Sequence, residues 1–422
     1  MTAKRSLFLL SAVLAIGLLA GLSFRRPVIP VARFSFEGIP TKVFADLKIA
    51  AAQKPQLARS ASGTLSVLAV EDSEGSRRLI YTQSQDDGDH FNSSIRVSDP
   101  GTSVIASGDN IPSLVQTEAG LYSAWQERTP EGRHRIMFAR SKERGAGFEK
   151  PIEVTDHKGS SFNGFSAMNI APNGDIYVIW LDGRDEPEPE GTLALYLAKS
   201  TDGGKSFGQN IRIALGVCPC CRPAIAFGKN GEVYVSWRKV FDGNVRDVVL
   251  AASHDGGKTF SAAVKVGEDQ WVIHGCPDSG PSMVNIGERL YIAWYSEGNH
   301  TSGIRVATSD NGGKSFTIPD VVSKGVLAAN HPQLSIFDSN HVMLSFQGRR
   351  ESRNQEHWSP VQIFVTTLDP LGRGAAPEPL PSVNSSAVYP TAISAGPNRI
   401  FVAWTDVNEA SASVELSRGV IH

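Results

Sequence analysis

Cysteine is scarce and confined: the chain has four, all between positions 218 and 276, so no disulfide framework runs through the fold. An excess of one charge is also lacking. With 41 Lys and Arg against 43 Asp and Glu, a net charge of -2 leaves no basic face of the sort a phosphate backbone demands, and nucleic acid is not an expected partner. Neither a glycine-rich phosphate loop nor a dinucleotide turn is present, which leaves nucleotide cofactors without a fingerprint. Convincing amphipathic helical periodicity is absent as well. Only one long apolar run exists, from Ser6 to Phe24, flanked by Lys4-Arg5 and Arg25-Arg26. It approaches the ~20 residues of a spanning helix and exceeds the ~7–15 of a cleaved signal core. Residues 1–26 therefore read as an export signal, preferably an uncleaved membrane anchor, with cleavage as the alternative. Either reading places the remainder on the periplasmic or another extracytoplasmic side. Residues 27–53 read as a linker and 54–422 as one repeat domain.

Glycine and proline are plentiful, at 40 and 24 residues, and they fall in a repeating order. Apolar segments start at Pro55, Pro112, Phe165-Ser166, Pro223, Pro281, Pro332 and Pro390, spaced 51 to 58 residues apart. Each is followed by a Gly or Asn turn, an alternating strand, a second strand ending in Ser, and a further turn. Six of the alternating strands close on an aromatic: Trp125, Trp180, Trp237, Trp294, Phe346 and Trp404; the first unit has Leu68 there. Four strands per unit at this period predict an all-β fold, a β-propeller with seven blades favoured and six as the alternative, behind one N-terminal membrane helix. The last unit runs out after three strands, and Pro30 to Phe36 is the stretch left over to supply its fourth.

Three turns nearly coincide: STDGGKSF from Ser200, SHDGGKTF from Ser253 and SDNGGKSF from Ser309; SQDDGDHF from Ser84 and SKERGAGF from Ser141 are looser copies. The sixth unit has Leu368-Asp-Pro-Leu-Gly372 instead. Gly supplies positive φ, Asp or Asn bonds nearby N–H groups, and the closing aromatic packs between sheets, so the motif is a structural staple. It resembles the Asp box, or BNR repeat, of sialidase-like proteins, and the resemblance covers the chain from about Lys54 onward.

Strand alternation sorts the loops. Residues that precede each Pro-led start and residues that follow each strand-ending Trp share one face, and the boxes lie on the other. The first face collects Glu127, Asp182, Arg222, Arg238, Tyr295, Glu297, Arg349, Arg350 and Tyr389, together with every cysteine. It is the expected working face, open to a glycan or a protein ligand.

Cys218-Pro-Cys220-Cys221 and His274-Gly-Cys276-Pro-Asp278 sit on the entry loops of adjacent units. Two readings stay open. One is disulfides, with Cys218–Cys221 and Cys220–Cys276 as the least awkward pairing. The other is a soft metal site for copper or zinc, with Cys218, Cys220, Cys221, Cys276 and His274 as ligands and His331 as a possible addition. Asp269-Gln-Trp271, on the same loop, reads as a rim or a substrate contact, with core packing preferred for Trp271.

The sialidase resemblance further implies six blades and a site of three arginines, a Tyr nucleophile activated by Glu, and an Asp acid. The early Arg-Ile-Pro element of that family has its nearest counterpart in Arg26-Pro-Val-Ile-Pro30, beside the apolar run, so the first arginine has no match. Candidate catalytic residues are Arg222, Asp182, Glu127, Tyr295, Arg349 and Arg350. The expected function is a membrane-tethered binding or assembly module with a cysteine-organised site. A sialidase-type glycoside hydrolase or carbohydrate-binding protein is the alternative.

Overall fold

The computed structural model describes residues 33–47, 51–73, 75–142, 145–159, 161–185, 190–351, 359–380, 385–409 and 411–422. The Ser6 to Phe24 run, with the anchor reading placed on it, lies outside these residues. Among those described, no helix is long and apolar enough to cross a membrane.

The described residues are all-β, in a propeller-like arrangement of five blade-like sheets of three to five strands and one larger eight-stranded sheet. Each repeat opens with a strand at the Pro-led segment: Ala51–Arg59, Ser113–Thr117, Asn163–Ile170, Ala224–Phe227, Ser282–Ile286, Leu327–Ile336 and Ser386–Gly396. These opening strands touch one another in chain order, and the last touches the first. The eight-stranded sheet spans two repeats joined through a single pairing, Val217 with Lys239. The final sheet is completed by Phe34–Lys42, which pairs antiparallel with Ala412–Ile421.

Why these strands read as unbroken apolar runs follows from their two-sided burial. In Ile176–Asp182, Ile176, Val178 and Trp180 face one apolar cluster while Tyr177, Ile179 and Leu181 face the next. Such clusters fill the space between every successive pair of repeats, and Phe401, Ala403 and Leu416 of the last meet Leu65, Val67 and Ile80 of the first. The strand-ending tryptophans and Phe346 all lie within these clusters and are buried. Truncating one to Ala removes about 3–5 kcal/mol.

The repeated turns behave as staples. In the third, Asp202 Oδ1 accepts from the backbone N–H groups of Lys205 and Ser206, and Ser200 Oγ accepts from Gly204. The fourth and fifth repeat this set with Asp255 and Asn311. A side chain at Gly204 would strike Phe138 of the preceding repeat, and one at Gly313 would strike Leu250. The glycine thus serves both its positive φ and the contact between sheets. In the sixth unit, which lacks the motif, Asp369 Oδ1 takes over by accepting from Leu371 and Arg373. The turns at 310–314 share a cleft with the 228–232 and 285–288 turns, away from the loops that carry the cysteines.

Candidate functional site at the channel mouth

Four residues immediately before the opening segments hold a left-handed backbone: Lys54 (φ 55°), Phe165 (52°), His331 (50°) and Tyr389 (54°). Each falls at a register shift in its opening strand. A bulge re-aims a side chain, and a non-glycine residue at positive φ costs on the order of 1–3 kcal/mol unless its surroundings hold it. Here a side chain of the preceding repeat holds each N–H. Lys54 donates to Thr405 Oγ1 (2.8 Å), Phe165 to Asn110 Oδ1 (3.2 Å), His331 to Ser279 Oγ (3.2 Å) and Tyr389 to Gln347 Oε1 (2.7 Å). At the matching positions of the fourth and fifth repeats, the N–H groups of Arg222 and Gly280 donate to one oxygen, Asp109 Oδ2, at 3.1 and 2.7 Å.

The result is a cluster of titratable side chains over the centre of the ring. His331 Nδ1 lies 3.5 Å from Asp109 Oδ1, the His331 and Tyr389 rings are 4.9 Å apart, and Lys54 Nζ sits 4.2 Å above the Tyr389 ring. Lys54 also donates to Gly108 O, and Asp278 Oδ1 accepts the Asp109 N–H at 2.9 Å. Beneath lies a cavity of about 240 Å³ lined by Gln56, Asp109, Asn169, Arg222, His331 and Gln333 among others. Burial pulls the Lys54 amine down to about 8 against the opposing pull of Asp109 and Asp278. Burial raises the Asp278 carboxyl, with Asp109 adding to it. It also pushes the Tyr389 phenol up to about 12, with the two carboxylates contributing. His331 Nδ1 is buried without a hydrogen-bond partner. The mouth therefore gathers a carboxyl whose proton affinity is raised, an amine whose proton affinity is lowered, and a buried imidazole nitrogen that faces Asp109.

The cysteines adjoin this cluster. Cys220 and Cys276 are bonded, while Cys218 and Cys221 are free and fully buried, their sulfurs 3.2 Å apart. Of the two bonds in the expected pairing, one is present. Cys218 Sγ also lies 3.8 Å from Cys220 Sγ and 3.5 Å from Arg246 Nη1. The bond from Cys221, helped by the charges of Arg238 and Arg246, draws the Cys218 thiol down to about 6, and burial pushes Cys221 well up. The sulfurs of Cys218, Cys220 and Cys221 lie within 4.8 Å of one another. His274 stands apart from them, exposed, with Nδ1 3.3 Å from Asn244 Nδ2. The Cys220–Cys276 bond ties together the two loops that deliver Arg222 and Gly280 to Asp109.

Of the remaining predicted residues Arg222 lines the cavity at the mouth, and the others do not join the cluster. Glu127 and Asp182 are fully buried and accept the indole N–H of the tryptophan two residues before them, Trp125 at 3.1 Å and Trp180 at 2.8 Å. Each also pairs with an arginine, Arg135 and Arg184. Asp269, read as a rim residue, is likewise buried and takes the Trp294 indole N–H at 2.6 Å; Trp271 is core. Tyr295 does hydrogen-bond Glu297, as the implied sialidase set pairs a Tyr with a Glu, and burial raises its phenol to about 12. The arginine side chains are taken up by protein acceptors: Arg238 by the carbonyls of Arg246, Ser279 and Tyr295, Arg222 by Ser166 O and Ser113 Oγ, and Arg349 by Ser359 O. Arg350 is exposed. Sequence reasoning passed over Lys54 and Asp109; the available signal for Lys54 was its place directly before a Pro-led start.

No protein-family model matches the sequence, and no curated protein matches it. Solved structures share its fold. An ulvan lyase, a polysaccharide lyase, superposes with a TM-score of 0.56 at 13% identity, over 90% of this chain and 95% of its own. An α-L-arabinofuranosidase from Fusarium graminearum gives 0.50 at 12%, over 91% and 98%. The endosialidase of phage phi92 gives 0.50 at 9%, over 92% and 70%. The chain has the sialidase-like propeller fold that glycoside hydrolases and a polysaccharide lyase also use.

Proposed function

We propose that this chain is a carbohydrate-active propeller of seven four-stranded blades that cleaves a glycosidic linkage at the channel mouth. Asp278 acts as proton donor, and His331 and Tyr389 contact the sugar. The seven-blade count takes the eight-stranded sheet as two blades. The observation that carries the functional reading is the set of left-handed, bulged residues that bring Lys54, His331 and Tyr389 against Asp109 and Asp278. Strain of this kind, repeated at one end of the ring and holding titratable groups, is a mark of a working site. The fold likeness supports the scaffold for such chemistry and no particular substrate. The Cys220–Cys276 bond favours an oxidising compartment, in keeping with the export signal read at residues 1–26.

Incubating the purified chain with a panel of neutral and acidic polysaccharides and chromogenic glycosides tests the reading. One substrate is expected to release reducing ends, with Asp278→Asn slowing it by ~10²–10⁴ as for loss of a general acid. Release unchanged in Asp278→Asn removes Asp278 from its role, and no binding or cleavage anywhere on the panel sinks the proposal.

A second reading rests on the three sulfurs grouped within 4.8 Å. Once the Cys220–Cys276 bond is reduced, Cys218, Cys220, Cys221 and Cys276 would suit copper(I) or zinc(II), making the face a binding module. Metal analysis of protein purified without oxygen decides it, and absence of a stoichiometric metal rejects it.

A further inference from the structure

The cysteines differ in access in an ordered way. Cys218 and Cys221 have no exposed surface and Cys220 has 8%, whereas Cys276 lies in the open on its loop. The three inner sulfurs form a triangle, with Cys218 3.2 Å from Cys221 and 3.8 Å from Cys220 and all three within 4.8 Å of one another, and Cys220 carries the bond outward to Cys276. A disulfide that served only to clamp the two loops would need no reduced pair packed against its inner sulfur. Arg246 Nη1, 3.5 Å from Cys218 Sγ, is placed to stabilise a thiolate there.

We propose that these four residues form a thiol–disulfide relay, in which the buried Cys218–Cys221 dithiol reduces an external disulfide by way of the Cys220–Cys276 bond. Cys218, as thiolate, attacks Cys220 Sγ; the Cys218–Cys220 bond forms, the Cys220–Cys276 bond breaks, and Cys276 leaves as a thiolate at the surface. Cys221 attacks Cys218 Sγ, its proton passing to the Cys220 sulfur that leaves, which closes Cys218–Cys221 and frees Cys220 as a thiol. Cys276 then attacks the external disulfide, taking one half as a mixed disulfide and releasing the other as a thiolate. Cys220 attacks Cys276 Sγ, restores Cys220–Cys276 and releases the second half. The net change oxidises one protein dithiol to a disulfide and reduces one external disulfide to two thiols, whose protons come from Cys218 and Cys221. During the exchange the two loops are unclasped beside Asp109. The relay stands independently of any action on a sugar, since it is read on sulfur alone.

The test uses the full chain with Cys220–Cys276 intact and oxidised glutathione as the probe. Two equivalents of reduced glutathione per chain are expected, and the product should show Cys218–Cys221 and Cys220–Cys276 in a non-reducing peptide map. Cys220→Ser/Cys276→Ser is expected to oxidise at least a hundredfold more slowly, its remaining pair being sealed from solvent. Two further variants keep both Cys220 and Cys276. Iodoacetamide should label Cys276 of the native Cys221→Ser chain, where exchange stalls with Cys276 released, and leave Cys276 of Cys218→Ser unlabelled. Equal labelling of the two variants, oxidation of the double variant at the wild-type rate, or two disulfides already present in the isolated chain each overturns the relay. So does a stoichiometric metal in place of the disulfide.

Discussion

Asp109 gives the sharpest test of how the mouth is held. One of its oxygens, Oδ2, receives the N–H groups of both Arg222 and Gly280, and the residue is only 4% exposed. Asp109→Ala leaves two buried donors without an acceptor, at about 1–3 kcal/mol each, so a loss of roughly 2–6 kcal/mol is expected. Asp109→Asn behaves differently. Its amide oxygen can occupy the Oδ2 position and accept from both, while its NH₂ group faces His331 Nδ1, 3.5 Å from the other oxygen in the wild type. The Asn variant should therefore stay within about 1 kcal/mol of wild type in stability, because neutral hydrogen bonds replace charge-assisted ones. Losing the negative charge also removes an attraction that holds the Lys54 proton on, so the Lys54 amine should fall further below about 8. Urea unfolding of the three proteins, followed by tryptophan fluorescence, reads the stabilities directly. Equal destabilisation by Ala and Asn, or an Ala variant as stable as wild type, would refute the claim that this carboxylate anchors the two loops.

Other consequences are as definite. Lys54 holds its proton less tightly folded than unfolded, so between about pH 8 and 10.5 the unfolded chain binds the extra proton and stability rises with pH, by up to roughly 3 kcal/mol; Lys54→Met should flatten that rise in urea midpoints taken across the window. Gly313→Ala, at φ 80° and against Leu250, should cost roughly 2–5 kcal/mol, whereas Gly312→Ala, at φ 70° but with only Tyr234 Oη nearby at 3.3 Å, should cost about 1–2; thermal unfolding of the pair separates packing from backbone strain. Asp182→Ala removes the buried one of the two carboxylates on Arg184, leaving Asp156, and should lose roughly 1–3 kcal/mol, with mouth activity per folded molecule unchanged in a titrated assay.

Much of the scaffold was legible because its physics is local and repeated. Trp125, Trp180, Trp237, Trp294 and Trp404 recur on strands buried on both faces, and three of them are followed by a Gly-Gly turn 18 to 23 residues on. Parity alone separated the turns from the cysteine loops, since it needs nothing beyond strand alternation. The site was less legible. Glu127 and Asp182 look like solvated loop tips in sequence, yet their strands extend to include them, and the indole N–H of the preceding tryptophan needs a buried acceptor. Lys54 and Asp109 were passed over for a different reason. Their roles come from a left-handed backbone before proline and from two N–H groups more than a hundred residues away, neither of which has a compositional trace. The cysteines fell between these cases. Their spacing singled out Cys218–Cys221 and Cys220–Cys276, and only the packed structure distinguishes a closed bond from a facing pair of thiols.

The pairing of Phe34–Lys42 with Ala412–Ile421 has a consequence for how the molecule comes to exist. Ser35 meets His422 across 387 residues, among the most distant contacts a chain of this length can make. Each sheet can form from residues that are neighbours in time during synthesis, but this seam waits for the last strand to emerge. Until then the apolar surfaces of the first and last sheets, Leu65 and Val67 on one side and Phe401 and Leu416 on the other, face water or a chaperone. Folding is thus expected to end in one slow closing step, governed by the meeting of the two ends.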